Sequence, residues 1–189
     1  MRKTRRFILL ALLFALLLPL TDTGRASAAG GSGTGEVVGY YASWAAAQGH
    51  TPDKLPAERF TQINYAFAKI EDGRAALGNP ARDAENLREL AGLRRRNPGL
   101  NIVLSLGGWD DSTGFSGAAA SLENRKAFSQ SCVDLLLAHD LDGVDLDWEY
   151  PVSGGAPGTA HLPQDKQNFT LLLRELRQAL DRQGRRDGK

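Results

Sequence analysis

The 189-residue chain is poor in several things that would mark out a function class. It has one cysteine, Cys132, so no intrachain disulfide can form. Cys132 sits among Phe128, Val133 and Leu136 in a helical pattern, the setting of a small core residue and not of a nucleophile or metal ligand. There are only three histidines, His50, His139 and His161, and they show no ligand spacing. Neither sign of charge dominates: 23 basic residues stand against 22 acidic ones. Nothing in that balance calls for a nucleic acid or an anionic membrane as partner. No low-complexity tract suggests a disordered or fibrous protein, and at 42% hydrophobic the composition is that of an ordinary globular chain.

Long apolar runs are also missing. The longest, Phe7 to Leu18, is too short to span a bilayer comfortably. It follows a basic start (Arg2, Lys3, Arg5, Arg6) and ends at Pro19, and Ala26-Ser27-Ala28 then fits the small-residue cleavage rule. Residues 1–28 therefore read as a secretory signal peptide cleaved before Ala29, which makes the expected product secreted and extracellular. Cleavage leaves 18 basic and 21 acidic residues, a net charge of −3. Residues 29–36, with the run "GGSGTG", read as a flexible leader.

From residue 37 onward strand and helix patterns alternate. Apolar strands are expected at Val37–Trp44, Gln62–Ile70, Asn101–Trp109 and Gly143–Tyr150. Helices are expected at about Asp83–Arg96, Asn124–Ala138 and Asp165–Gln183, with a shorter one over Pro52–Phe60. Asn168-Phe169-Thr170 has the form of a glycosylation sequon but falls inside a helical pattern. Apolar strands separated by helices imply an α/β fold with a parallel sheet covered on both faces. Four such units either open a doubly wound sheet or form half of an eight-stranded barrel.

The chemistry lies in "LDGVDLDWEYP", residues 141 to 151. Strand side chains alternate, so Asp145, Asp147 and Glu149 share one face, and Val144, Leu146, Trp148 and Tyr150 share the other. Same-face neighbours lie about 6 to 7 Å apart. Carboxylates that close in a poorly solvated site cannot all ionise, so a proton is shared and at least one pKa rises. A carboxyl group with a raised pKa is a proton donor near neutral pH. Asp142 has the wrong parity for that face and reads as a capping residue at the strand entrance. Two other readings remain: three carboxylates can hold calcium or magnesium, or act structurally. Metal loops add glycines and backbone ligands in a turn, which a rigid strand does not supply, so proton chemistry is the stronger reading. On the third strand Ser105, Gly107 and Trp109 face one way, and the small residues leave room beneath the acids.

"DGVDLDWEYP" fits D-x-x-D-x-D-x-E, and the chain resembles glycoside hydrolase family 18, the chitinases and their relatives. "SLGGW" is similar to that family's S-x-G-G motif, and "GYYASW" and "NYAFA" resemble its first two strands. The resemblance implies a (β/α)8 TIM barrel of which residues 37–189 hold only the first four βα units, against the roughly 250 residues of a complete barrel. It implies hydrolysis of β-1,4-linked N-acetylglucosamine polymers (chitin), endo-type and retaining, with the sugar's own N-acetyl oxygen as nucleophile. By the same resemblance Glu149 is the general acid, Asp147 orients the acetamido group, and Asp145 shares its proton. Tyr40 points toward Asp145 and Trp44 stacks on a distal sugar. Ser105, Gly107, Trp109 and Tyr150, the last at a strand end where it can turn inward, complete the expected substrate-binding set. Trp148 is expected to be structural. Non-proline cis peptides are expected at Ala66–Phe67 and Glu149–Tyr150. No cofactor or metal is called for. The expected partner is chitin or a chitooligosaccharide, with self-association through open barrel edges. A non-catalytic, lectin-like chitin binder is the alternative. Such relatives lose the glutamate that stands here as Glu149.

Overall fold

The computed structural model describes residues 35–188. The expected export signal and nearly all of the leader lie outside the described residues. Four strands form a parallel sheet: β1 (Val38–Ala42), β2 (Gln62–Glu71), β4 (Asn101–Gly107) and β5 (Gly143–Asp147), in the order β1-β2-β4-β5. A short β3 (Arg74–Ala76), not foreseen from the sequence, folds back antiparallel on the end of β2 through the two-residue turn Asp72-Gly73. Both turn residues have positive φ, as the tight hairpin demands.

The registers sort the side chains into two faces. Tyr40 pairs with Asn64 and Asn64 with Val103. One level up, Ala66 pairs with Ser105 and Ser105 with Asp145. These residues share the inner face. The intervening Ile63, Tyr65, Ile102, Leu104 and Leu106 are buried on the other, against the helices. Those helices are α1 (Pro80–Gly92), α4 (Leu122–His139) and α5 (Asp165–Asp187), with two short ones, α2 (Gly108–Asp111) and α3 (Phe115–Ala119), following β4. Leu87, Leu90, Phe115, Phe128, Cys132, Leu136, Leu172 and Leu176 complete the core. Cys132 is buried there as expected, and burial pushes its thiol pKa up.

Local chemistry explains the element ends. Asn79 caps α1, its side chain accepting from the Arg82 N–H, and Pro80 occupies the first helical position, where a missing N–H costs nothing. Ser121 caps α4 in the same way through Asn124. The helix expected over Pro52–Phe60 is absent. Pro52–Lys54 and Ala57–Arg59 form two separate 3-10 turns instead, and a third, Ala46–Gln48, precedes them. Pro52 and Pro56 withhold N–H groups and push the residues before them out of the helical region. The segment is held from outside: Arg96 donates to the carbonyls of Asp53 and Leu55, and Asn97 Nδ2 to those of Ala57 and Phe60.

Three strands also stop earlier than expected. β1 ends at Ala42 and not Trp44, β4 at Gly107 and not Trp109, and β5 at Asp147 and not Tyr150. At the opposite end of the sheet Asp142 accepts from the Ile102 N–H at 2.7 Å and from Arg94 at 2.6 Å, while Arg94 also reaches Asp140 at 2.8 Å. The first acid of the motif is thus a clamp between β4 and the α4–β5 connection, in keeping with its parity.

Candidate active site

The C-terminal ends of parallel strands are where α/β proteins gather reactive groups, because the loops there are free to vary. Here the inner face presents Asp145 and Asp147 from β5. Glu149 lies just past the strand end, so alternation alone does not place it. Asp145 is the focus of the hydrogen bonding. Its Oδ2 accepts from the Tyr40 hydroxyl at 2.9 Å, the Ser105 hydroxyl at 2.7 Å and Asn64 Nδ2 at 3.3 Å. Each of the other three parallel strands supplies one donor. Donors of this kind stabilise the charged form of a carboxylate. Asp147 is in the opposite situation: burial first, and then the neighbouring Asp145 charge, push its carboxyl above the ordinary aspartate range. The pair is therefore polarised: three donors converge on Asp145, while Asp147 holds its proton more readily than an ordinary aspartate.

The Glu149 backbone is held by a residue the motifs do not include. Ser112, fully buried in the turn between α2 and α3, accepts from the Glu149 N–H at 2.8 Å. Its own hydroxyl hydrogen faces the carbonyl of Gly108 at 2.8 Å, with that of Asp147 at 3.2 Å. Both peptides expected to be cis, Ala66–Phe67 and Glu149–Tyr150, are cis.

The S-x-G-G stretch has a steric explanation. Gly107 has φ 100°, and a Cβ there would collide with the Asp147 carbonyl oxygen and come within 2.6 Å of the Phe115 ring. At Gly108, with φ 77°, a Cβ would meet the Phe67 ring at 2.9 Å. Side chains at either place would push β4 away from β5 or displace Phe67.

Trp148, between the two last acids, turns the other way. It is 5% exposed, stacks on Phe115 with ring centres 5.2 Å apart, and meets Phe169 edge-on at 5.4 Å. It anchors the strand end in the core, as its parity predicts. Tyr40, Trp44, Trp109 and Tyr150 are 60%, 50%, 52% and 49% exposed, so all four leave ring surface open to a ligand. Two of their placements differ from expectation. Trp109 lies on α2 and not on β4, because the positive φ of Gly107 and Gly108 ends the strand first. Tyr150 is beyond the strand and exposed, so the helix-facing parity assigned to it does not apply. Asn64 and Ser112 are absent from the sequence-based set. Asn64 had one available signal, an amide at an inward position among largely apolar neighbours in β2. Ser112 had none. Among the described residues no group of three His, Cys, Asp or Glu side chains is disposed to hold a metal ion.

Fold and site together define a parallel α/β protein carrying a polarised carboxylate pair at the C-terminal ends of its strands. The family model for glycosyl hydrolases family 18 matches residues 36–189. Chitinase A1 of Niallia circulans is 36% identical over 235 aligned positions, covering 100% of this chain and 34% of that protein. Among solved structures, a family 18 N-acetylglucosaminidase from Paenibacillus barengoltzii is 43% identical with a TM-score of 0.68, covering 82% of this chain and 43% of that one. Catalytic domain 2 of the Ostrinia furnacalis Group II chitinase, in complex with penta-N-acetylchitooctaose, is 33% identical with a TM-score of 0.71, covering 79% and 41%. The chain belongs to glycoside hydrolase family 18, a family of TIM barrels. It spans between 12% and 38% of the length of the first curated relatives it matches.

Proposed function

We propose that this chain carries the proton-donating half of a chitin-hydrolysing site. In this reading the four parallel strands are the first four βα units of a TIM barrel, residues 37–189. Glu149 protonates the glycosidic oxygen, Asp147 hydrogen-bonds and orients the N-acetyl group, and Asp145 takes up the proton that Asp147 gives up. The acetamido oxygen of the sugar attacks the anomeric carbon, and water then opens the oxazolinium ion with retention. Tyr40, Trp44, Trp109 and Tyr150 offer the ring faces on which sugars pack, and Ser105 and Gly107 shape the floor. The substrate is a β-1,4-linked N-acetylglucosamine polymer cut internally, and the site acts outside the cell after removal of residues 1–28.

The single observation that carries this reading is the polarised pair. Three donors converge on Asp145 while burial and the Asp145 charge raise Asp147, and Glu149 follows two residues later with its backbone tied down. A pair so arranged can accept and release one proton during a reaction without a second carboxylate across the bond. A chitooligosaccharide bound to a relative with a TM-score of 0.71 supports the substrate class. Among the described residues β1 and β5 have no strand on their outer sides, and Val37, Val38 and Tyr40 are exposed at that edge. Such edges favour self-association.

The test is hydrolysis of chitin oligomers by this chain joined to the remaining βα units of a family 18 domain. Glu149→Gln keeps shape and loses the proton. It is expected to abolish turnover and leave oligomer binding nearly intact, with the wild type releasing product of retained anomeric configuration. Substantial turnover by the Gln variant would refute the assignment of the acid.

A further inference from the structure

Of the three donors on Asp145, two are hydroxyls and one is an amide, and the difference has a consequence for where the proton rests. A hydroxyl is both donor and acceptor. If Asp145 took a proton on Oδ2, the Tyr40 and Ser105 hydroxyls could rotate and accept from it. The NH2 group of Asn64 cannot accept. It could accept from a proton on Oδ2 only by flipping its amide, and the bond that Gln62 Nε2 donates to Asn64 Oδ1 at 2.7 Å opposes that flip. With Oδ1 so engaged, Nδ2 is left facing Asp145, 81 residues away in sequence. Asn64 is buried, so no bulk water stands ready to replace either bond. Gln62 and Asn64 lie on the same face of β2, two residues apart, which is what lets the first side chain orient the second.

We propose that Asn64, oriented by Gln62, is a positioning residue that assigns the charged state to Asp145 and so keeps the mobile proton on Asp147, the carboxyl nearer to Glu149 in the chain. The assignment rests on the reading of Asp145 and Asp147 as a proton-sharing pair. The titratable groups facing Asp145 are Tyr40 from β1 and Asp147 on its own strand, while β2 and β4 present the neutral Asn64 and Ser105. No second amide from the described strands donates to Asp145. Tyr40 and Ser105 can turn from donors into acceptors if Oδ2 takes the proton, whereas Asn64 as oriented only donates, and so favours the charged carboxylate, the stronger acceptor.

The experiment needs no substrate. Carboxyl-carbon NMR titration of the full chain, with aspartate labelled and the two signals assigned through Asp145→Asn and Asp147→Asn, reads the proton partition between the two groups. In Asn64→Leu the buried volume is roughly kept and the donor is lost. The partition is expected to move toward Asp145 by about tenfold, the scale of one charge-assisted hydrogen bond. The Asp145 midpoint then rises and the Asp147 midpoint falls. Gln62→Leu frees the amide to flip and is expected to give a smaller movement in the same direction. It decides the matter alone if Asn64→Leu does not fold. An unchanged partition in the folded variants overturns the inference. A wild-type titration in which Asp147 loses its proton before Asp145 overturns the pair reading itself, and with it the proposed function, so the two failures are distinguishable.

Discussion

Ser112 offers the sharpest check on the architecture, because it is a fully buried side chain whose bonds all go to backbone atoms flanking the acidic ladder. Replacing it by alanine removes the acceptor of the Glu149 N–H at 2.8 Å and the donor to the Gly108 carbonyl at 2.8 Å. A buried donor left without a partner costs about 1–3 kcal/mol, and the deleted oxygen leaves a void too small to bring large relief. Taking about 2 kcal/mol, a domain of roughly this size loses about 4–8 °C in melting temperature. The local consequence is more diagnostic than the global one. If the hydroxyl is what protects the Glu149 amide, hydrogen exchange at that single amide accelerates by about 30-fold, the equivalent of the same free energy. Amides of Leu104 and Leu106, deep in β4, should accelerate only as far as global stability has dropped. The assay is amide exchange followed by NMR on wild type and Ser112→Ala, with thermal melts alongside. Exchange at Glu149 that does not move relative to the β4 amides would refute the claim that Ser112 holds the turn carrying the acid.

Other expectations follow from single interactions. Asp147 has a folded pKa above its unfolded value, so the native state binds more protons than the unfolded state across that interval. Stability therefore falls as pH rises from the ordinary aspartate value through the raised one, and Asp147→Asn should flatten this slope and be the more stable protein at neutral pH; denaturant melts from pH 3 to 8 check it, and a less stable Asn variant at neutral pH would contradict the burial and the Asp145 repulsion that raise this carboxyl. Arg94→Ala breaks the clamp on Asp142 and Asp140 and should cost about 1 kcal/mol by chemical denaturation, most of it through the less exposed Asp142. The chain itself should run larger than a monomer in light scattering, through the β1 and β5 edges, and a strictly monomeric species at high concentration would count against that.

Much of the site was legible from local pattern. Period-two alternation in "VDLDW" put Asp145 and Asp147 on one face and Trp148 on the other, and the structure has Trp148 locked between Phe115 and Phe169. The cores of α1, α4 and α5 and of all four parallel strands followed from apolar spacing, and Asp142 declared its structural role by parity. These features depend only on residues a few positions apart, where backbone geometry ties spacing directly to direction. Element ends were less legible: Trp109, Glu149 and Tyr150 fall past strands that looked continuous, because positive φ at Gly107 and Gly108 and the closing of β5 at Asp147 are not visible in hydrophobicity.

Which groups meet depends on how the elements pack. Tyr40, Asn64 and Ser105 reach Asp145 across 105, 81 and 40 residues of chain, and Ser112 reaches Glu149 across 37. Resemblance had brought Tyr40 and Ser105 to the site, but an asparagine in a strand and a serine in a turn carry no local mark of their partners. Local pattern was enough to name the acids, their face and the strand that bears them. The order β1-β2-β4-β5 and its registers determined that one donor from each of the other three parallel strands converges on a single carboxylate oxygen. The physical reason is that a strand's side-chain direction is set by its own backbone, whereas hydrogen-bond partners are set by the register between strands, and register is a property of the packed sheet.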